Sequence, residues 1–209
     1  MARMTNRNQI LGAVLLAVAT YGVLLRIAET KVGTSVGGGD YPLYDNRPLE
    51  LAAFQRLRTS LAEIGEASLA DRLEALRKDG AIWVAPDLGP DRWAVFTESL
   101  RLVRRIYVRR AALLEPKEHL YPVKPADIPD ANQRAFAWIS LAGALCHELA
   151  HYDGMFKEAD AYAVEIAWYK GLRASPWFAS LEGEKRRVFD WALESAVLTA
   201  RSASEKGAR

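Results

Sequence analysis

Cysteine is almost missing: the 209 residues include one, Cys146. A single thiol cannot close an internal disulfide, so this fold is held by its core and not by staples. The means for that are present, since 50% of the residues are hydrophobic, enough for one globular domain. Charge of one dominant sign is missing too. The formal net charge is +2, with many charges of both signs, where a dedicated nucleic-acid binder would be lopsided. Internal repeats and low-complexity tracts are lacking, so a repeat architecture is not expected. Histidine is scarce as well. There are three, and two of them, His147 and His151, stand four residues apart.

Those two fall in Cys146-His147-Glu148-Leu149-Ala150-His151, which reads H-E-x-x-H. On a helix, positions four apart share one face, so both imidazoles point at the same region of space. Glu148 sits one step round from His147, near that region. Two histidines so placed can hold a zinc ion while the glutamate works on water. Cys146 lies about 100° round the helix from its neighbour and reads as a small buried hydrophobe. A zinc site needs a third ligand. Tyr152-Asp153-Gly154 reads as a turn, and a second helical pattern runs from about Phe156 to Leu172. Glu158, Ala161, Tyr162, Glu165 and either Trp168 or Tyr169 share a stripe on it, with small Ala161 allowing close helix approach. Glu158 is the first acid on that stripe and sits beside the turn. Glu165, two turns on, belongs behind the ligands or on the surface.

The two segments together resemble gluzincin-type zinc metallopeptidases, which pair H-E-x-x-H with a downstream E-x-x-A-[D/N/Y]. Glu158-Ala159-Asp160-Ala161-Tyr162 fits the second half, and the resemblance covers roughly residues 133 to 172. It implies that His147, His151 and Glu158 bind Zn2+, that Glu148 is the general base, and that the substrate is a peptide or protein. The gap between the motifs is shorter here, and the carboxylate often found four residues after the glutamate ligand is Tyr162. In zincins generally an edge strand beside the metal hydrogen-bonds an extended peptide, and Arg105 to Leu114 is the candidate for it. Tyr162, Tyr121 and His119 are candidates for stabilising the oxyanion, and the sequence does not choose among them. The competing readings are a zinc-binding protein without catalysis and a metal-free tethered scaffold or interaction protein.

Along the chain, residues 1 to 9 are short and positive, with Arg3 and Arg7. Ile10 to Leu25 is apolar apart from Thr20 and Tyr21, and Arg26 closes it. This run is just under the usual ~17–25 residues of a spanning helix. Ala17-Val18-Ala19 offers a cleavage site, but the apolar run continues beyond it. Residues 1–26 are therefore expected to be an uncleaved transmembrane signal anchor, giving a single-pass membrane protein with a cytoplasmic N-terminus and an extracytoplasmic domain, periplasmic in a Gram-negative cell. Residues 27–45, with Gly33, Gly37, Gly38, Gly39 and Pro42, read as a flexible linker.

Residues 46–209 form the expected zincin-like domain, mainly α with a small β-sheet (α+β), in which a minimal helix pair carries the metal site. Asn46-Arg47-Pro48 opens a helix with Leu51, Phe54, Leu57, Leu61 and Ile64 on its apolar side. Ser68 opens a second, ended by Gly80. Residues 81–85 read as a strand, Asp91 as the start of a helix through Trp93, Val95 and Phe96, and Arg105 to Leu114 as a second strand. The basic cluster Arg101, Arg104, Arg105, Arg109 and Arg110 reads as a solvated face. Residues 115–129 form a loop holding His119. Asp130-Ala131-Asn132-Gln133 is a capping box for the active helix. Two further helices follow, about 176–182 and 184–202, ahead of a loose polar tail.

Overall fold

The computed structural model describes residues 14, 16–28, 41–43, 47–89, 92–100, 102–121 and 125–207. The expected positive tail, Ile10 to Ala13 and Leu15 of the apolar run, most of the linker, Asn46, Asp91 and Arg101 lie outside them. The chain is mainly α-helical with one small sheet, as its patterning predicts. Residues 16–28 form helix α1. Then come β1 (Tyr41–Pro42), α2 (Pro48–Glu63), α3 (Ala67–Lys78), β2 (Ile82–Ala85), β3 (Ala94–Ser99) and β4 (Val103–Arg109). The rest is helical: α4 (Arg110–Leu114), α5 (Pro116–Leu120), α6 (Asp130–Tyr152), α7 (Glu158–Arg173), α8 (Pro176–Ala179) and α9 (Gly183–Gly207).

The apolar spacing that predicts α2 and α3 is the face each buries. Phe54, Leu57 and Leu61 from α2 and Leu73 and Leu76 from α3 are all nearly inaccessible. α6 is the axis of the fold. Ala137, Ile139, Leu141, Ala142, Leu145 and Leu149 are buried on several sides of it, because α7, α9 and the sheet all pack there. The sheet runs β1-β2-β4-β3. β2 is parallel to β4, with Ile82 opposite Ile106, and β3 is antiparallel to β4, with Phe96 opposite the same residue. Alternation then sorts the side chains. Ile82, Val84, Ile106 and Val108 face the helical core, while Ala85, Val103 and Tyr107 face α1.

The membrane anchor is not met. No helix among the described residues is long and apolar enough to cross a membrane. The described stretch 16–28 covers about 20 Å at 1.5 Å per residue, against ~30 Å of hydrocarbon. Its C-terminal end is also docked: Ala28 is fully buried and Leu25 packs beside it, against Ala85, Val103 and Tyr107. The transmembrane signal anchor, the membrane as a partner and the single-pass topology all fall with this finding. Of the expected linker, Tyr41 and Pro42 pair with Val84 and Trp83, and Leu43 is buried.

Five local expectations are also corrected. Val95 and Phe96 lie on the strand β3, just after Trp93, and not on a helix. Val95, Phe96 and Thr97 suit a pleated surface, and pairing with β4 decides what a short apolar run leaves ambiguous. The stretch from Arg105 to Leu114 splits into β4 and α4, and β4 is an internal strand, so β3 is the edge. His119 lies on the short helix α5 and not in a loop. The capping box does not form: α6 has Pro129 at its N-cap, and Gln133 instead donates to the carbonyl of Ile128 at 2.7 Å. At the far end α9 continues to Gly207, through most of the expected loose tail.

Candidate metal centre

The site is built where α6 ends and α7 begins. His147 and His151 are both buried, and their Nε2 atoms lie 3.1 Å apart. α6 stops because Gly154 takes a φ of 104°, which L side chains rarely adopt. The N–H of Gly154 donates to the His151 carbonyl and that of Met155 to the Ala150 carbonyl, closing the last turn. The same turn brings the Met155 carbonyl 2.5 Å from Nδ1 of His151. A carbonyl only accepts, so Nδ1 carries the proton and Nε2 presents its lone pair.

Glu158 is the first residue of α7, where the helix N-terminus favours a negative charge. Its Oε2 is 3.1 Å from Nε2 of His147, and its Oε1 is 3.5 Å from Nε2 of His151. Ala161, fully buried one turn on, lets α7 lie close against α6. Donor atoms of the three residues thus surround one point. Ligands ~2.0–2.2 Å from a tetrahedral zinc stand roughly 3.3–3.5 Å apart. The set fits such an ion with adjustments of about a few tenths of an ångström, and its nitrogen and oxygen donors suit zinc. Three protein ligands also leave one coordination position open.

Glu165 sits behind His147. Its Oε2 lies 3.3 Å from Nδ1 of that ring, close enough for an ion pair but not aligned as a hydrogen bond. Tyr169 donates to the other oxygen of Glu165 at 2.7 Å. Burial disfavours the charged form of His147, but Glu165, Glu148 and Glu158 outweigh it and raise the pKa. Glu148 is buried on the same cleft, and its Oε2 accepts the Phe96 N–H of edge strand β3 at 2.6 Å. Burial pushes the Glu148 carboxyl up, while His147, the Phe96 N–H and His151 pull it down; the balance is upward.

The structure therefore brings His147, His151, Glu148, Glu158, Tyr162 and Glu165 to one cleft of about 780 Å³, bounded by β3, α6, α7 and α9. Tyr162 stands edge-on to His147 with ring centroids 4.4 Å apart. His119 and Tyr121 are not brought there. His119 packs edge-on against Trp93, and Tyr121 caps α5. Cys146 is buried, and that burial raises its thiol pKa. The residues missed by sequence reasoning are those acting through the backbone, Phe96 and Met155, which carry no side-chain signature. Tyr169 was half visible, since it lies four residues after Glu165 and so shares its face. A second groove of about 750 Å³, lined by Trp138, Trp177 and Phe189, holds none of the histidines. No protein-family model, curated protein or solved structure matches the chain.

Proposed function

We propose that this chain is a zinc-dependent metallopeptidase similar to gluzincins, hydrolysing peptide bonds, with His147, His151 and Glu158 as ligands and Glu148 as general base. One observation carries the reading: donor atoms from α6 and α7 surround a single point on the cleft that also holds the Glu148 carboxylate. Zinc bound there would polarise a carbonyl and make water more acidic. Glu148 takes the proton from the attacking water and passes it to the departing amine nitrogen. The Phe96 N–H holds that carboxylate in place meanwhile. Of the three candidates for the oxyanion, Tyr162 is the one that lines the cleft. Edge strand β3 forms one wall, against which an extended peptide can lie and pair.

A second reading, zinc binding without hydrolysis, draws on the same Phe96 contact, because one oxygen of Glu148 is already engaged. One set of measurements separates the two. Metal analysis of the purified full chain is expected to give about one zinc per chain, by the single-site geometry. His147→Ala loses it. Glu148→Gln keeps the zinc and abolishes cleavage of a library of unstructured peptides. Wild type without zinc ends both readings, and zinc without cleavage leaves the second.

A further inference from the structure

One pair of buried groups has no part in the chemistry just described. Tyr169 is 2% exposed, and Glu165, to which its hydroxyl donates, is 8% exposed. Burying a hydroxyl and a carboxylate costs free energy unless each is paired, and these two are paired with each other. Tyr169 follows Glu165 by one turn of α7, so their side chains leave the same face. The remaining oxygen of Glu165 lies 3.3 Å from Nδ1 of His147, within ion-pair range of it. Space for this row comes from α6. Gly143 stands one turn before His147, and a methyl group there would overlap the Tyr169 hydroxyl and its ring carbon Cζ. A glycine inside a helix is unfavourable by about 0.5–1 kcal/mol relative to alanine, so the position is set by the tyrosine that crosses it.

We propose that Tyr169 is a positioning residue for the metal. It fixes Glu165, and Glu165 holds the His147 ring with its proton on Nδ1 and the Nε2 lone pair toward His151 and Glu158. The inference rests on the zinc reading above and extends it from the ligands to Tyr169 and Gly143. Without the hydroxyl, Glu165 keeps one buried oxygen unpaired and turns to other rotamers, and the ring loses the partner that selects its tautomer. Loss of such outer partners typically costs 10–100-fold in metal affinity.

The test compares the full-length wild type with Y169F, G143A and Y107F. Tyr107 is equally buried but lies on the sheet face toward α1, so Y107F controls for losing a buried tyrosine hydroxyl. Zinc affinity is measured by chelator competition, folding by circular dichroism, and the His147 tautomer by 15N spectra of the metal-free proteins above the ring's titration. Y169F is expected to fold and bind zinc about tenfold more weakly or worse, with Y107F unchanged. In the wild type the His147 proton is on Nδ1, and in Y169F the two tautomers mix. G143A loses at least as much affinity; should it not fold, Y169F decides alone. Wild type that binds zinc, with Y169F binding equally well, overturns this inference and leaves the zinc reading standing. Equal weakening in Y169F and Y107F, or a wild-type proton on Nε2, overturns it too. Wild type that binds no zinc overturns both.

Discussion

Glu50 is a carboxylate on α2 that is 5% exposed, and both Tyr41 and Arg110 donate to its Oε1 at 2.7 Å. Burial alone would raise its pKa. The two donors win and hold it at about 2, down from an ordinary 4.5. The sign of the linkage follows. A depressed folded-state pKa stabilises the fold above the unfolded value, and that contribution is lost as pH falls through the folded one. Glu50→Gln is therefore expected to cost about 1.5–3 kcal/mol near pH 7, the usual worth of a hydrogen bond to a charged group. The gap to wild type should close between pH 4.5 and about 2. Urea unfolding of both proteins across that range checks this, and a gap that stays constant would refute it. The same contacts tie the neighbouring β1 and α2 to α4, 60 residues beyond Glu50.

At the level of elements, the turn after α6 is the most consequential. Gly154 has nothing within 4 Å of where a Cβ would stand, so its replacement meets strain and no clash. Gly154→Ala is expected to lose about 1–2 kcal/mol from its left-handed backbone. It should also weaken zinc binding roughly tenfold, because the Met155 carbonyl would no longer fix His151. Gly65, with a φ of 89° between α2 and α3, supplies the comparison. Gly65→Ala should lose similar stability and leave the zinc affinity alone; if both variants bind zinc alike, the turn has no role in holding the ring. This turn was legible in the sequence, as were His147, His151, Glu148 and Glu158, because helical spacing and a glycine stop are local signals. The edge strand was not. Trp93 to Phe96 reads as helix, and only pairing with β4, a partner set by the packing of the whole sheet on α6, makes it a strand. The tie from Phe96 to Glu148 was beyond reach for the same reason, since it joins residues 52 apart through a backbone N–H. The α1 segment misled in the opposite way. Its apolar run reads as a membrane span, yet Leu25 and Ala28 are the residues that dock it on the sheet.

Over the whole molecule, the proposed ligand set joins α6, the axis of the fold, to α7. His147 and His151 come from α6 and Glu158 from α7, while α9 packs on both. An unfolded chain has no such preformed triad, so the free energy of binding becomes free energy of folding. At free zinc about 100-fold above Kd the gain is ~2.7 kcal/mol. For a chain of this length each kcal/mol raises Tm by about 2–4 °C, so zinc is expected to raise the melting temperature by roughly 5–11 °C. Added chelator should return it to the metal-free value. His147→Ala should show no rise, because His151 and Glu158 alone are one ligand short of the three that such a site needs. Thermal melts followed by circular dichroism, with and without zinc, test this directly. An equal rise in wild type and His147→Ala would place the ion elsewhere on the molecule. An absent rise in wild type at saturating zinc would mean that α6 and α7 are held by their apolar contacts alone, with Ala161 and Leu145 doing without an ion what the triad is proposed to do with one.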